Sequence, residues 1–140
     1  MPAGEDMIDM PQRGLSRSAQ ATANRRVADD FLDLAFNQRD MTSARKLLAA
    51  DFRHHEPTVP SGAAGFLAHL AESFSRPAFR LEPVRHICDG DFVVVHSRCS
   101  DAENTMAVID ILRIEYGRIS EFWHVFQPVP EIIANPNGMF

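Results

Sequence analysis

Residues 107–129, "AVIDILRIEYGRISEFWHVFQPV", decide the reading of the chain. Two runs of β-branched, aliphatic and aromatic residues flank "EYGR", whose Tyr116-Gly117 pair is a turn signal, so the stretch reads as an antiparallel hairpin. Asp110 interrupts the first run. A buried carboxylate without a partner is costly, so this position needs a partner, access to water, or a chemical task. Counting outward from the turn sets Asp110 opposite Trp123 or His124, and a bulge at the glycine decides between them.

Working outward, "DFVVVHSRC" (91–99) is strongly β-branched and follows "AFRLEPVRHI" (78–87) through an Asp89-Gly90 turn. Pro83 marks the earlier run as an edge strand or a bulge. A tight turn at Asp89-Gly90 puts Cys88 opposite Asp91 and Cys99 opposite Arg80. The two cysteines are then too far apart along the ladder to bridge, and both are expected as reduced, half-buried thiols. The polar loop "SDAEN" (100–104) centres the next hairpin so that His96 lands opposite Ile109 or Asp110. Three adjacent strands thus present His96, Asp110 and His124 at one level.

The N-terminal half has a helical period instead. From about Ala21, Val27, Phe31, Leu34 and Ala35 fall on one face. A short second helix starts at Asp40 as N-cap and carries Leu47 and Leu48. Two prolines keep "DFRHHEPTVPSG" (51–62) out of a helix. Ser61 then caps a third helix with a stripe of Phe66, Leu67, Leu70 and Phe74. Helices followed by a run of antiparallel strands make an α+β fold with the helices on one sheet face. The last strands are apolar at both parities, so the second face also needs cover, and a homodimer through the sheet is expected.

The 140 residues suit one domain, with 1–20 as a flexible lead-in and 21–140 as the folded unit. A hydrophobic share of 45% against 24% charged is that of a globular chain, and the net charge of −5 argues against nucleic acid or anionic membranes as partners. The early stretch has no apolar signal-peptide core and nothing approaches a membrane span, so a cytoplasmic location is expected.

The chemistry rests on histidines, of which there are six. His54, His55, His96 and His124 lie, with Asp110, in apolar or extended surroundings. A histidine beside a carboxylate is a natural proton carrier, because the carboxylate fixes its tautomer and stabilises its cation. The structural alternative pairs Asp110 with Arg98 or Arg113 and leaves His124 as a satisfied core residue. "FRHHEP" offers His-His-Glu, but neighbours in an extended segment point to opposite faces. No metal site is therefore expected; His55 should face a pocket and His54 solvent. His69 and His86 read as surface residues. Phe52, Phe66, Phe122 and Trp123 are core first and candidate ligand-binding residues second.

Four stretches, "FRHHEPTVPSG" (52–62), "DGDFVVVHSR" (89–98), "AVIDILRIEYGRISEFWHVFQPVPE" (107–131) and "NPNGMF" (135–140), resemble the SnoaL-like proteins. These are relatives of nuclear transport factor 2 named for a polyketide cyclase that closes a ring by intramolecular aldol condensation. The resemblance covers 21–140 and implies a cone of helices on a strongly curved antiparallel sheet. It implies catalytic residues at His124 and Asp110, with His55 and His96 matching further recurring histidines. The cyclases carry aspartate where this chain has His124, and Glu56 stands where asparagine is common. The implied activity is cofactor-independent acid/base chemistry on a carbonyl compound (aldol-type cyclisation, isomerisation or dehydration). A non-catalytic ligand-binding module of the same fold is the alternative, and a scaffold is a third.

Overall fold

The computed structural model describes residues 15–140. Helix α1 runs Arg17–Leu32 and continues through a single wider π turn, Asp33–Asn37. Helix α2 is Met41–Arg45, strand β1 Leu48–His54 and helix α3 Ala63–Ser73. Strands β2 (Arg80–Asp89), β3 (Phe92–Ser100), β4 (Thr105–Glu115) and β5 (Arg118–Pro128) complete one five-stranded sheet of order β1-β5-β4-β3-β2. The α+β expectation holds. The expected antiparallel sheet is in fact mixed, because β1 joins the β5 edge in parallel.

Several local readings shift for identifiable reasons. Helix α1 begins at Arg17, capped by Ser16 through Ala19 N at 3.1 Å, four residues before Ala21. Most of the expected lead-in, 1–14, lies outside the described residues. Asp40 does cap α2, but Leu48 opens β1 instead of continuing the helix. Gly62, not Ser61, is the N-cap of α3, and no side chain caps it. The β2–β3 turn is one residue later than read. Gly90 takes φ +56° and Asp89 pairs with Phe92, so Cys88 faces Val93 and Cys99 faces Leu81. Both thiols are free. Pro83 lies on the edge strand β2, at a register shift against β3.

Alternation sorts the sheet into two faces. Val93, Val95, Ser97 and Cys99 of β3 and Val108, Asp110, Leu112 and Ile114 of β4 are buried beneath the helices. α1 packs on β2 to β5 and α3 on β1. Phe31, Phe66 and Phe122 lock helices to sheet, with Phe66 5.0 Å from Phe122 and Phe31 6.0 Å from it in an edge contact. Asn37 clips the helical layer to the β2 edge, donating to Leu81 O at 2.9 Å and accepting from Leu81 N at 2.8 Å. Arg39, at φ +61°, turns the chain back and donates to the Leu70 carbonyl at the end of α3. The other face carries Ile87, Phe92, Val94, Ile109, Ile111, Trp123 and Val125, and among the described residues no helix packs on it.

Candidate functional site

The hairpin that opened the sequence reading supplies the centre of the site. Tyr116 and Gly117, at φ +52° and +74°, make the turn, and Glu115 pairs with Arg118. That register alone would set Asp110 against Trp123. A shift between Arg113 and Ile114 admits one extra residue on β5, Ser120, and moves His124 opposite Asp110. Both side chains then point to the helix-covered face, where His124 Nδ1 is hydrogen-bonded to Asp110 Oδ1. Asp110 has no exposed surface, and its Oδ2 has no partner among the described residues.

The electrostatics follow from depth. Burial raises the Asp110 carboxyl above its ordinary range, against the opposing pull of His124. His124 is pushed down by burial but raised more by its hydrogen bond to Asp110, by that carboxylate's charge and by Glu56, so its net shift is upward. The pair holds its proton firmly. With Nδ1–H donated to Asp110, Nε2 is the basic nitrogen, and it takes no hydrogen bond among the described residues.

Two spaces meet at His124. One is a recess of about 30 Å³ whose polar lining is His54, His55, Glu56, His69 and His124. The other is a chamber of about 330 Å³ walled largely by Phe36, Leu81, Cys99, Met106, Val108 and Phe126. Phe36, Glu56, His69 and Phe74 line both spaces. Burial, with the charges of Asp110 and Asp101, pushes the Cys99 thiol up to about 11, so in the chamber wall it is a neutral apolar group and not a nucleophile.

The expected residues separate as follows. Asp110 and His124 meet. His55 is exposed; its ring stacks on Trp123 at 4.7 Å, its Nε2 bonds Glu121 at 2.5 Å, and it borders the recess. The inward histidine is His54, which stacks on Phe66 at 5.1 Å and holds Pro60 O at 2.8 Å. The His54/His55 reading is therefore inverted, because His54 shares the face of buried Phe52. His96 pairs with Ile109, lies on the opposite sheet face from Asp110, and is held by Arg85 and Phe140. Trp123 is also on that outer face. Phe66 and Phe122 line the recess, and Phe52 packs behind Phe66 at 5.3 Å. Neither His69 nor His86 is a plain surface residue. His69 lines the cavity, and His86 is nearly buried against Asp29 at 2.6 Å. Glu56 and His69 were missed as site members; helical spacing from Phe66 and Leu70 places His69 beside the cavity-facing stripe. Among the described residues no group of three or more ligand side chains could hold a metal ion.

Solved structures share this architecture. A protein from Kribbella flavida DSM 17836 provisionally named a ketosteroid isomerase superposes with a TM-score of 0.68 at 22% identity, over 84% of this chain and 85% of that one. An LEH-like epoxide hydrolase of M. tuberculosis gives 0.63 at 18% identity, over 77% and 85%. An NTF2-like protein of unknown function from Cytophaga hutchinsonii ATCC 33406 gives 0.63 at 17%, over 74% and 89%. These likenesses establish an NTF2-like fold. No match was found among curated proteins. The family model of the SnoaL-like domain matches residues 28–122, from the middle of α1 to the phenylalanine two residues before His124, and the chain belongs to that family.

Proposed function

We propose that this protein is a cofactor-independent enzyme that uses His124 as its base on a carbonyl-containing small molecule bound in the chamber. The observation that carries the reading is the His124–Asp110 pair, set at the wall of an apolar cavity with Asp110 wholly buried behind it. A carbonyl acidifies the hydrogens on its neighbouring carbon, so an oriented imidazole can remove one without a metal or organic cofactor. His69 supplies the second group. Its Nδ1 lies 3.2 Å from the Ser73 hydroxyl; with that hydroxyl donating to Nδ1, Nε2–H is the donor for a developing enolate oxygen. A space of this size fits a small substrate with an apolar body. Isomerisation, aldol-type cyclisation and dehydration all begin from that enolate.

The test is hydrogen–deuterium exchange next to the carbonyl of cyclohexanone in D2O, followed by NMR. Catalysed exchange that falls by about 10²–10⁴-fold in His124→Ala supports the reading. Binding of the ketone with no exchange refutes it and leaves the ligand-binding module.

The assembly we propose is a homodimer through the outer sheet face, the one opposite the helices. Ile87 and Val125 are 63% and 62% exposed there and Phe92 38%, beside half-buried Ile109, Ile111 and Trp123. Sedimentation of the wild type as a dimer and of Val125→Asp as a monomer is the expected outcome.

A further inference from the structure

His124 borders both the small recess and the larger chamber, and a substrate body that fills the chamber leaves the recess to a smaller molecule. We propose that the recess is a water subsite, and that the reaction adds water across, or removes it from, a carbon–carbon double bond conjugated to a carbonyl. This rests on the acid/base reading of His124 and narrows it to one reaction class.

The recess, at about 30 Å³, exceeds the ~10–15 Å³ a single water requires and by itself is too small for a carbon skeleton. Its apolar wall is Phe36, Phe66, Leu70, Phe74 and Phe122. A water there also needs two or more polar partners, and the free ones are well matched. Nε2 of His124 accepts one hydrogen, because Nδ1–H is committed to Asp110. The second carboxylate oxygen of Glu56 accepts the other, since Oε1 is held by Thr58 at 3.0 Å. His54 contributes shape and not a contact to water: its Nε2 bonds Pro60 O and its Nδ1 accepts from Glu56 N at 3.1 Å. That second bond fixes the backbone that carries the Glu56 carboxylate. With both hydrogens bound, the oxygen lone pairs of the water face the substrate side.

The step balances without an oxidant or a second reagent. His124 Nε2 takes a proton from water as the oxygen bonds the β carbon. The π pair moves through the α carbon to the carbonyl oxygen, where His69 donates a hydrogen bond. His124 then returns the proton to the α carbon, and the product is a β-hydroxy ketone. The reverse path removes the α proton first and expels hydroxide, which His124 protonates.

Two enones, cyclohex-2-enone and 4-phenylbut-3-en-2-one, incubated with the full chain in ¹⁸O-labelled water test the proposal. The readout is the ¹³C isotope shift at the β carbon, which carbonyl exchange with solvent does not affect. The expected result is enzyme-dependent β-¹⁸O incorporation at least a hundredfold above solvent background. Glu56→Gln should lower it at least tenfold, with an unchanged circular dichroism spectrum. Exchange next to the carbonyl of cyclohexanone without ¹⁸O incorporation from either enone overturns the water subsite and leaves the acid/base reading standing. Failure of both reactions overturns both. Full ¹⁸O incorporation in Glu56→Gln overturns the assignment of the water to the recess.

Discussion

Asp110 and His124 face each other across β4 and β5 because one extra residue, Ser120, shifts the register of their hairpin. The carboxylate at the bottom of this pair is fully buried, and among the described residues one of its oxygens is satisfied only by the imidazole. Neither residue can be changed without altering the other.

Removing the carboxylate should therefore show first in the histidine. In Asp110→Asn the His124 imidazole loses the partner that raises it while the burial that lowers it remains, so its titration midpoint should fall below the wild-type value. The wild-type midpoint should lie above the ordinary value of 6.5, and the rate of proton abstraction should rise with pH through it. NMR titration of the ring protons and the pH–rate profile should give the same number; a wild-type midpoint at or below 6.5 would contradict the assigned pair.

Stability should carry the same signature. His124 is raised in the folded state, so its contribution is fully present below the unfolded midpoint near 6.5 and is lost as pH rises through the higher folded value. Asp110 is raised as well, so the unfolded chain releases that proton first and folding becomes less favourable as pH climbs from the unfolded value of 3.8. Both effects have one sign. Tm should decline with rising pH more steeply in the wild type than in the double variant Asp110→Asn, His124→Gln, as differential scanning calorimetry would record.

Glu121 should behave oppositely. The hydrogen bond from His55 lowers its carboxyl against some burial cost, with help from Arg53, the His55 charge and Arg113. Its contribution is present above the unfolded midpoint of 4.5 and disappears as pH falls through the lower folded value. Glu121→Gln should cost about 1 kcal/mol at pH 7, the scale of a solvent-screened ion pair, and the cost should shrink as pH falls below 4.5. A loss that stays equal across the acid range would show that packing, not charge, is responsible.

Gly65 is a test of the loop that carries Glu56. A Cβ there would meet Pro60 O at 2.5 Å, and that same oxygen accepts from His54 Nε2. Gly65→Ala improves helix propensity, yet it should destabilise the protein by about 1–3 kcal/mol as α3 and the loop are forced apart. Urea unfolding gives the sign directly. A stabilised Gly65→Ala would show that the loop yields without cost.

Local chemistry was legible in the chain wherever one segment decides its own shape. The 3.6-residue stripe of Phe66, Leu67 and Leu70 specified α3, and Asp40 specified the start of α2. The β-branched runs and the Tyr116-Gly117 turn specified the hairpins, because side-chain crowding and positive φ act within a few residues. The aspartate inside "VIDIL" was visible as an anomaly in need of a partner.

What the sequence left open, the tertiary structure decided by small register choices. Alternation has period two, so a one-residue shift changes which side chain faces which. The bulge at Ser120 chose His124 over Trp123 as the partner of Asp110, and the pairing of His96 with Ile109 put that histidine on the far face. Leu48–His54 became a parallel edge strand only because β5 offered a free edge, and that pairing turned His54 inward and His55 outward. Glu56 and His69 entered the site through the folding of a loop and a helix over the sheet, a convergence of segments distant in sequence that no local pattern encodes.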